Sequence, residues 1–155
     1  MEKVNITELK QFIYDASRAT YASGDESIKK VQPDGSTTIT FEKDNYLFHD
    51  NYFGGEPYGG REVVFLNGKA IWMMVYYGLV HIKNGNKDVY GFLMEAMRHT
   101  SPEMPYRGPL IFENENWKYE NILSGGAERF SGSEKIFRDG TLVYEASYTG
   151  GLVDQ

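Results

Sequence analysis

The chain has 155 residues, a net charge of −6, 41% hydrophobic residues and no cysteine. Its length is typical of one domain, and the absence of cysteine excludes disulfides, thiolate nucleophiles and thiolate metal sites. The acidic balance without a basic cluster argues against nucleic-acid binding, and no apolar run approaches the roughly 18 residues that span a bilayer. The charged N-terminal segment is unlike a secretory signal, so we predict a cytoplasmic protein without a membrane segment.

The first predicted element is an amphipathic helix over residues 5–22. Its apolar side chains recur at the helical spacing i, i+3, i+4 and i+7, at Leu9, Phe12, Ile13 and Ala16. Asn5 or Thr7 can cap its start by accepting a backbone N–H bond, and Gly24 is placed to end it. One face of this helix is therefore expected to pack on a core.

A polar segment and four strands follow the helix. Residues 24–35 contain Pro-Asp-Gly and predict a flexible surface loop. Alternating apolar and polar residues then predict four strands, at 36–42, 45–53, 62–66 and 69–80. The last two flank Asn67-Gly68, a pair typical of a type I′ hairpin turn, because both central residues of that turn need positive φ.

The second half of the chain repeats this plan. Residues 58–80 align without a gap on residues 130–152, with like residues in register, among them Tyr58/Phe130, Gly60/Gly132, Glu62/Glu134, Val64/Ile136 and Gly68/Gly140. A second helical stripe precedes the repeated strands, with Asp88 as its predicted cap, and residues 110–113 match the strand at 39–42. The alignment indicates an internal duplication.

The duplication predicts the architecture. We expect one α+β domain spanning residues 1–155, with repeats at about 5–80 and 86–153, each a helix followed by a four-stranded antiparallel meander. A single helix on four strands has a small core, so the two repeats are expected to merge into one domain. The eight strands would form one continuous or barrel-like sheet, with its halves related by a pseudo-twofold axis.

The two-residue turns also predict cross-strand partners. Val64 should face Ile71, Glu62 should face Met73, and Glu134 should face Glu145. The last pair places like charges side by side, which destabilises a sheet unless water, a cation or a proton intervenes. The run 73–77 carries apolar or aromatic residues at every position, so this strand is predicted to be buried on both faces.

Glu62 and Glu134 hold equivalent places in the two repeats and can approach each other across the axis. Such a carboxylate pair can serve acid–base chemistry or hold a hard metal ion. Alternatively, each glutamate accepts hydrogen bonds from nearby backbone and has a structural role. We predict no catalytic residue, metal site or cofactor, since nucleophile-elbow and phosphate-loop motifs are absent from the sequence.

The chain is rich in aromatic residues, which make up 15% of it. Residues such as Tyr52 and Tyr58 can line an apolar cleft with polar tips, or simply form a tyrosine-rich core. Arg107 lies between two prolines and can clamp a carboxylate, either of a ligand or of Glu62 or Glu134. The predicted ligand-binding residues are Glu62, Trp72, Tyr76, Arg107, Glu134, Tyr144 and Tyr148.

Four segments together resemble an uncharacterised bacterial domain family of unknown function: YFGGEPYGGREVV, AIWMMVYYG, PYRGP and FSGSEKI. Members of that family stand alone or follow a Cro/repressor-type helix-turn-helix. The resemblance spans most of the chain and implies no known reaction, so it assigns no catalytic residue. This chain begins with the first helix of the domain, and a regulatory role would need a partner.

The sequence thus leaves three functions open. We predict a non-enzymatic small-molecule-binding or sensor domain, with an aromatic cleft near the pseudo-twofold axis. The alternatives are a protein-interaction or inhibitor-like module that uses an exposed sheet face, and a hydrolase or isomerase that uses Glu62 or Glu134. The expected partner is a small molecule or a protein, and the oligomeric state stays open.

Overall fold

A computed structural model of the chain describes residues 3–153. They form an α+β structure with two α-helices and one antiparallel sheet of nine strands. In chain order the elements are α1 (Ile6–Ala19), β1 (Lys30–Val31), β2 (Thr37–Lys43), β3 (Tyr46–Phe53), β4 (Tyr58–Leu66), β5 (Lys69–Val80), α2 (Asn86–Met97), β6 (Ile111–Asn114), β7 (Trp117–Gly126), β8 (Arg129–Arg138) and β9 (Thr141–Leu152). Neither helix is long and apolar enough to cross a membrane.

The sheet is continuous and open. Its strand order is β1-β2-β3-β4-β5-β9-β8-β7-β6, so the last strands of the two meanders pair at the centre. The expectation of a continuous sheet is confirmed, whereas the barrel-like alternative is wrong because β1 and β6 do not pair. Nine strands replace the predicted eight because the loop predicted at 24–35 contains β1, which pairs with the start of β2.

The first helix begins as its sequence predicts. The Asn5 side chain accepts hydrogen bonds from the backbone N–H groups of Thr7 and Glu8, at 3.1 and 3.3 Å. This helix ends earlier than expected, at Ala19, and single 3₁₀ turns at Tyr21–Ser23 and Glu26–Ile28 follow. The second helix starts after Gly85 rather than at Asp88, which lies in its first turn.

The two Asx-Gly turns have the predicted conformation. Asn67 and Gly68 have φ of 51° and 78°, and Asp139 and Gly140 have φ of 51° and 76°. Asparagine, aspartate and glycine tolerate this left-handed region, which matches the twist of the flanking strands. The hairpins β4–β5 and β8–β9 are therefore fixed by local chemistry.

The cross-strand partners differ from the prediction by one residue because each hairpin contains a bulge. Trp72, not Ile71, lies opposite Val64, and Glu62 pairs with Met74. In the second hairpin Glu134 pairs with Ala146, so the predicted Glu134–Glu145 pair does not form. Glu145 instead lies 3.1 Å from Nε2 of His81. An extra residue in one strand shifts every partner beyond it.

Both helices cover the same face of the sheet. Buried side chains of α1 pack against β3, β4 and β5, and those of α2 pack against β7, β8 and β9. The opposite face is open at the centre, where Val75 and Tyr77 are 42% and 54% exposed. The prediction that β5 is buried on both faces is wrong, because no described element covers its outer side.

The central pair of strands is symmetric in register. Tyr76 of β5 lies opposite Tyr148 of β9, and both side chains are buried beneath the helical layer. On either side of this pair, Trp72 is opposite Leu152 and Val80 is opposite Tyr144. β5 and β9 thus separate Glu62 on β4 from Glu134 on β8. The row of paired residues that starts at Glu62 reaches β8 at Phe130, four residues from Glu134, so the two glutamates are not neighbours in the sheet.

Candidate ligand-binding cleft

A cleft of about 520 Å³ lies between the helices and the first half of the sheet. Its floor comes from β2 to β5, one wall from the residues that follow α1, and the other from α2. Gly54 and Gly55 form part of its rim, and Arg107 reaches it from the loop after α2. A volume of this size is typical of sites that hold small organic molecules.

Two carboxyl groups lie side by side on the floor. Asp50 of β3 is opposite Glu62 of β4 in the antiparallel register, and the two residues are 4% and 1% exposed. Both Glu62 oxygens are buried without a hydrogen-bond partner within residues 3–153, where only three other buried side-chain atoms share that condition. Leaving a buried polar group unpaired is costly, and among residues 3–153 Glu62 has more such atoms than any other side chain.

Burial sets the protonation of this pair. It raises the pKa of Glu62 well above the usual value, and the Asp50 carboxyl raises it further, while Arg107 acts in the opposite direction. Burial also raises the pKa of Asp50 to about 6, against the hydrogen bond from Tyr76 and the positive charge of Arg107. The low-dielectric site therefore favours the uncharged form of Glu62.

Asp50 has one strong partner. The Tyr76 hydroxyl donates to its Oδ1 at 2.5 Å. Burial and the nearby Asp50 charge raise the pKa of Tyr76, which keeps its hydroxyl protonated and available as a donor. Tyr76 thus fixes the orientation of Asp50 and leaves Glu62 to face the cleft alone.

The second half of the sheet shows the same arrangement with every partner present. Glu134 of β8 lies opposite Asn121 of β7, as Glu62 lies opposite Asp50. Glu134 accepts from Arg107 Nε at 2.7 Å and from the Tyr119 hydroxyl at 2.5 Å. Asn121 in turn accepts from the Tyr148 hydroxyl at 2.6 Å.

One substitution and one side-chain bond leave Glu62 without these partners. Phe48 precedes Asp50 by two residues on β3, where Tyr119 precedes Asn121 on β7, and phenylalanine has no hydroxyl to donate. The Arg107 guanidinium bonds Glu134 through Nε rather than Glu62. The loop after α2 therefore closes the second half, and the first half keeps an open space.

Arg107 is held firmly in place. Burial works to lower its pKa, but the Glu134 carboxylate and the nearby hydroxyls of Tyr58, Tyr144 and Tyr21 together hold the pKa above its usual value. Its Nη2 donates to the Tyr58 hydroxyl at 3.3 Å, and its Cζ lies 5.6 Å from the centre of the Tyr76 ring. The sequence-based expectation that Arg107 clamps a carboxylate is confirmed, with Glu134 as its partner.

Tyrosines form much of the remaining wall. The Tyr58 ring lies 5.9 Å from both the Tyr76 and Tyr90 rings, measured between ring centres. Its hydroxyl is 2.5 Å from that of Tyr144, and the Tyr90 hydroxyl donates to Glu56. Tyr21 and Tyr52 complete the set of five tyrosines that line the cleft.

Comparison with protein-family models gives one match, to a Domain of unknown function (DUF5680), over residues 50–153. This segment covers more than half of the chain and contains Asp50, Glu62, Tyr76 and Arg107. The chain belongs to the DUF5680 family. Neither the comparison with curated proteins nor that with solved structures returns a match. The matched segment of the DUF5680 domain contains the Asp50–Glu62 pair on the floor of the cleft, whereas α1, residues 20–29 and β2 lie outside it.

Three of the seven residues predicted to bind a ligand line the cleft of this DUF5680 domain: Glu62, Tyr76 and Arg107. The other four lie outside it and have partners of their own. Trp72 stacks on Phe130 and Tyr106, and Tyr144 bonds Tyr58. Glu134 and Tyr148 belong to the hydrogen-bonded network of the second half.

Sequence reasoning missed Asp50, Lys29, Tyr21 and Tyr90 as lining residues. A signal for Asp50 was present, because Asp50 and Asn121 precede the aligned glutamates Glu62 and Glu134 at nearly the same distance. An acid at position 50 and an amide at position 121 mark a difference in chemistry between the two halves of the sheet. No group of three or more His, Cys, Asp or Glu side chains in residues 3–153 is placed to hold a metal ion.

We expect Glu62→Gln to raise the free energy of unfolding by about 1–3 kcal/mol at pH 7.5. A carboxyl whose folded-state pKa is raised binds a proton more tightly in the folded state, so wild-type stability falls as pH rises above the unfolded value. Glutamine does not ionise and so avoids this penalty, and the gain in the free energy of unfolding should be smaller at pH 4. Urea unfolding at both pH values measures this difference, with the exposed Glu42→Gln as control. A loss of stability in Glu62→Gln at pH 7.5 would contradict the raised pKa of Glu62.

Proposed function

We propose that this domain binds a small molecule in the cleft between its helices and the first half of its sheet, and acts as a binding or sensor domain. The observation that carries the proposal is Glu62, a buried carboxyl at the floor of a 520 Å³ space that has no hydrogen-bond partner among residues 3–153. A ligand that donates to Glu62 would supply the missing hydrogen bonds and remove the cost of leaving them unmade.

Comparison of the two halves supports this function. The same sheet position in the second half holds a glutamate with two donors, so the fold can satisfy a carboxyl there with its own residues. The first half instead carries Phe48 and an open space. Stability alone favours a buried carboxyl that has its own hydrogen-bond donors. A buried carboxyl without such donors, next to an open space, is typical of a site that binds a ligand.

We also infer that the two halves arose by duplication. Glu62 and Glu134 lie 72 positions apart, as do Tyr76 and Tyr148, which face each other at the centre of the sheet. The bulges support the same inference, because each follows the third residue before an Asx-Gly turn. One copy would then have kept the site while the other became structural.

Thermal unfolding in the presence of cationic, neutral and anionic metabolites tests the proposed function. A ligand at 100 times its Kd should stabilise the folded domain by about 2.7 kcal/mol. For a chain of this size that gain corresponds to a rise in Tm of roughly 5–10 °C. Recovery of the bound compound unchanged would support a sensor, and its conversion would indicate a Glu62-dependent enzyme.

A pair of glycine substitutions locates the binding. Gly55 lies at the rim of the cleft and Gly126 at the corresponding place in the second half, and a Cβ added to either meets no atom within 4 Å. Gly55→Trp should fill the cleft and abolish the ligand-induced shift, whereas Gly126→Trp should preserve it. No shift with any class of compound, or equal shifts in both variants, would refute binding in this cleft.

A protein-interaction role is the second candidate, and the outer sheet face favours it. Tyr77 and Phe53 are 54% and 52% exposed, as a module with aromatic residues on its surface requires. A partner held on this face would be lost in Tyr77→Asp, while the cleft would bind its small molecule as before. The same variant therefore separates the two functions.

A further inference from the structure

We infer that the cleft takes an organic cation, with an amine or amidine group seated against Asp50 and Glu62 and an apolar body among the tyrosine rings. This inference rests on the proposed function and adds the chemical class of the ligand.

The acceptors on the floor require a ligand that donates. Once it has released its proton, the Glu62 carboxylate accepts hydrogen bonds and donates none, and both of its oxygens lack a donor within the described chain. Asp50 has a donor in Tyr76 and lies directly opposite Glu62. A protonated nitrogen carries several N–H groups and a positive charge, which together satisfy two adjacent carboxylates.

The charges of the lining residues agree with a cationic ligand. The two basic side chains of the cleft are already paired, Lys29 with Glu26 at 2.8 Å and Arg107 with Glu134 at 2.7 Å. The remaining acidic residues that line it are Asp25, Asp50 and Glu62. An anionic ligand would have to compete with Glu26 for the Lys29 ammonium group and with Glu134 for the Arg107 guanidinium group.

The walls suit an organic cation better than a metal ion. Five tyrosines surround the floor, and the negative faces of aromatic rings attract ammonium and guanidinium groups. Arg107 shows this contact within the protein, with its Cζ 5.6 Å from the centre of the Tyr76 ring. A metal ion would need more carboxylate or imidazole ligands than residues 3–153 bring together.

Binding of a cation should release a proton. Most elements around the pair contribute titratable or charged groups: Tyr21 and Lys29 after α1, Tyr52 on β3, Tyr58 on β4, Tyr76 on β5, Tyr90 on α2, Arg107 after α2 and Glu134 on β8. Burial raises the pKa of both carboxyls, so the empty pair holds protons that a bound cation would displace. Affinity should therefore rise between pH 5 and pH 7.5.

Sets of similar compounds with different charge test the inference. One set is benzamidine, benzamide and benzoate, and another is tryptamine, tryptophol and indole-3-acetate. Isothermal titration of the full chain at pH 7.5 should show binding by the cationic member of at least one set and weaker binding by its neutral and anionic counterparts. Titration in phosphate and in Tris, which differ in ionisation enthalpy, should show release of a proton.

Variants separate the site from general charge attraction. Glu62→Gln should lower the affinity for the cation about tenfold to hundredfold and remove the proton release. Glu145→Gln removes the same charge outside the cleft and should leave both unchanged. Glu62-dependent binding of a neutral or anionic member would overturn the inference while leaving the proposed function intact. Failure of every cationic member to bind would also overturn it, and failure of all compounds in the broader thermal screen would refute the proposed function itself.

Discussion

Replacing Arg107 with methionine is expected to lower the free energy of unfolding by about 3–5 kcal/mol. Arg107 and Glu134 are 5% and 0% exposed and bond through Nε and Oε1 at 2.7 Å. Methionine fills similar space but leaves the Glu134 carboxylate buried without its cation. Denaturant unfolding followed by far-ultraviolet circular dichroism gives the change directly.

Two further variants make this test specific. Arg61→Met removes an exposed arginine from β4 and should change stability by no more than about 0.5 kcal/mol. The double variant Arg107→Met/Glu134→Leu removes both charges and should recover much of the loss. Unchanged stability in Arg107→Met alone would mean that the pair is not buried as a unit.

A second large effect is expected for Trp72→Ala, again about 3–5 kcal/mol. Trp72 is fully buried, and its ring stacks 5.6 Å from Phe130 and 6.2 Å from Tyr106 between ring centres. These contacts join β5 of the first half to β8 and to the loop after α2, so truncation leaves a cavity where the halves meet.

Urea unfolding with a backbone probe measures this change, since the variant loses a tryptophan. Tyr77→Ala, five residues along the same strand and 54% exposed, is the control and should lie within about 0.5 kcal/mol of wild type. A similar loss in both variants would indicate a general weakness of β5 rather than the cavity.

Local chemistry made part of this fold predictable from the sequence. Asn5 caps α1, and the pairs Asn67-Gly68 and Asp139-Gly140 adopt the positive φ values that their turn type demands. The matched spacing of these signals then indicated one continuous sheet. Each of these features depends on residues close together in the chain, so a pattern in the sequence is enough to show it.

The candidate site was less predictable because it depends on register between strands. The bulge opposite Val64 has no glycine or proline to mark it, and it brings Trp72 to the face predicted for Ile71. The Asp50–Glu62 pair depends on how β3 meets β4 across an irregular four-residue link. Arg107 was recognised from its proline neighbours, but the choice of Glu134 over Glu62 was set by the packing of a loop.

The antiparallel contact between β5 and β9 also limits how far this sheet can grow. Each of these strands is the last of its own meander and pairs with the last strand of the other meander. This one pairing therefore uses the same strand edge of each half of the sheet. A pairing in which both units use the same edge is complete after two units and cannot extend into a chain of units. The outermost strands, β1 with 2 residues and β6 with 4, are short, as is common at the edges of natural sheets. The β5–β9 pairing therefore joins two halves and leaves neither with an equivalent edge for a third.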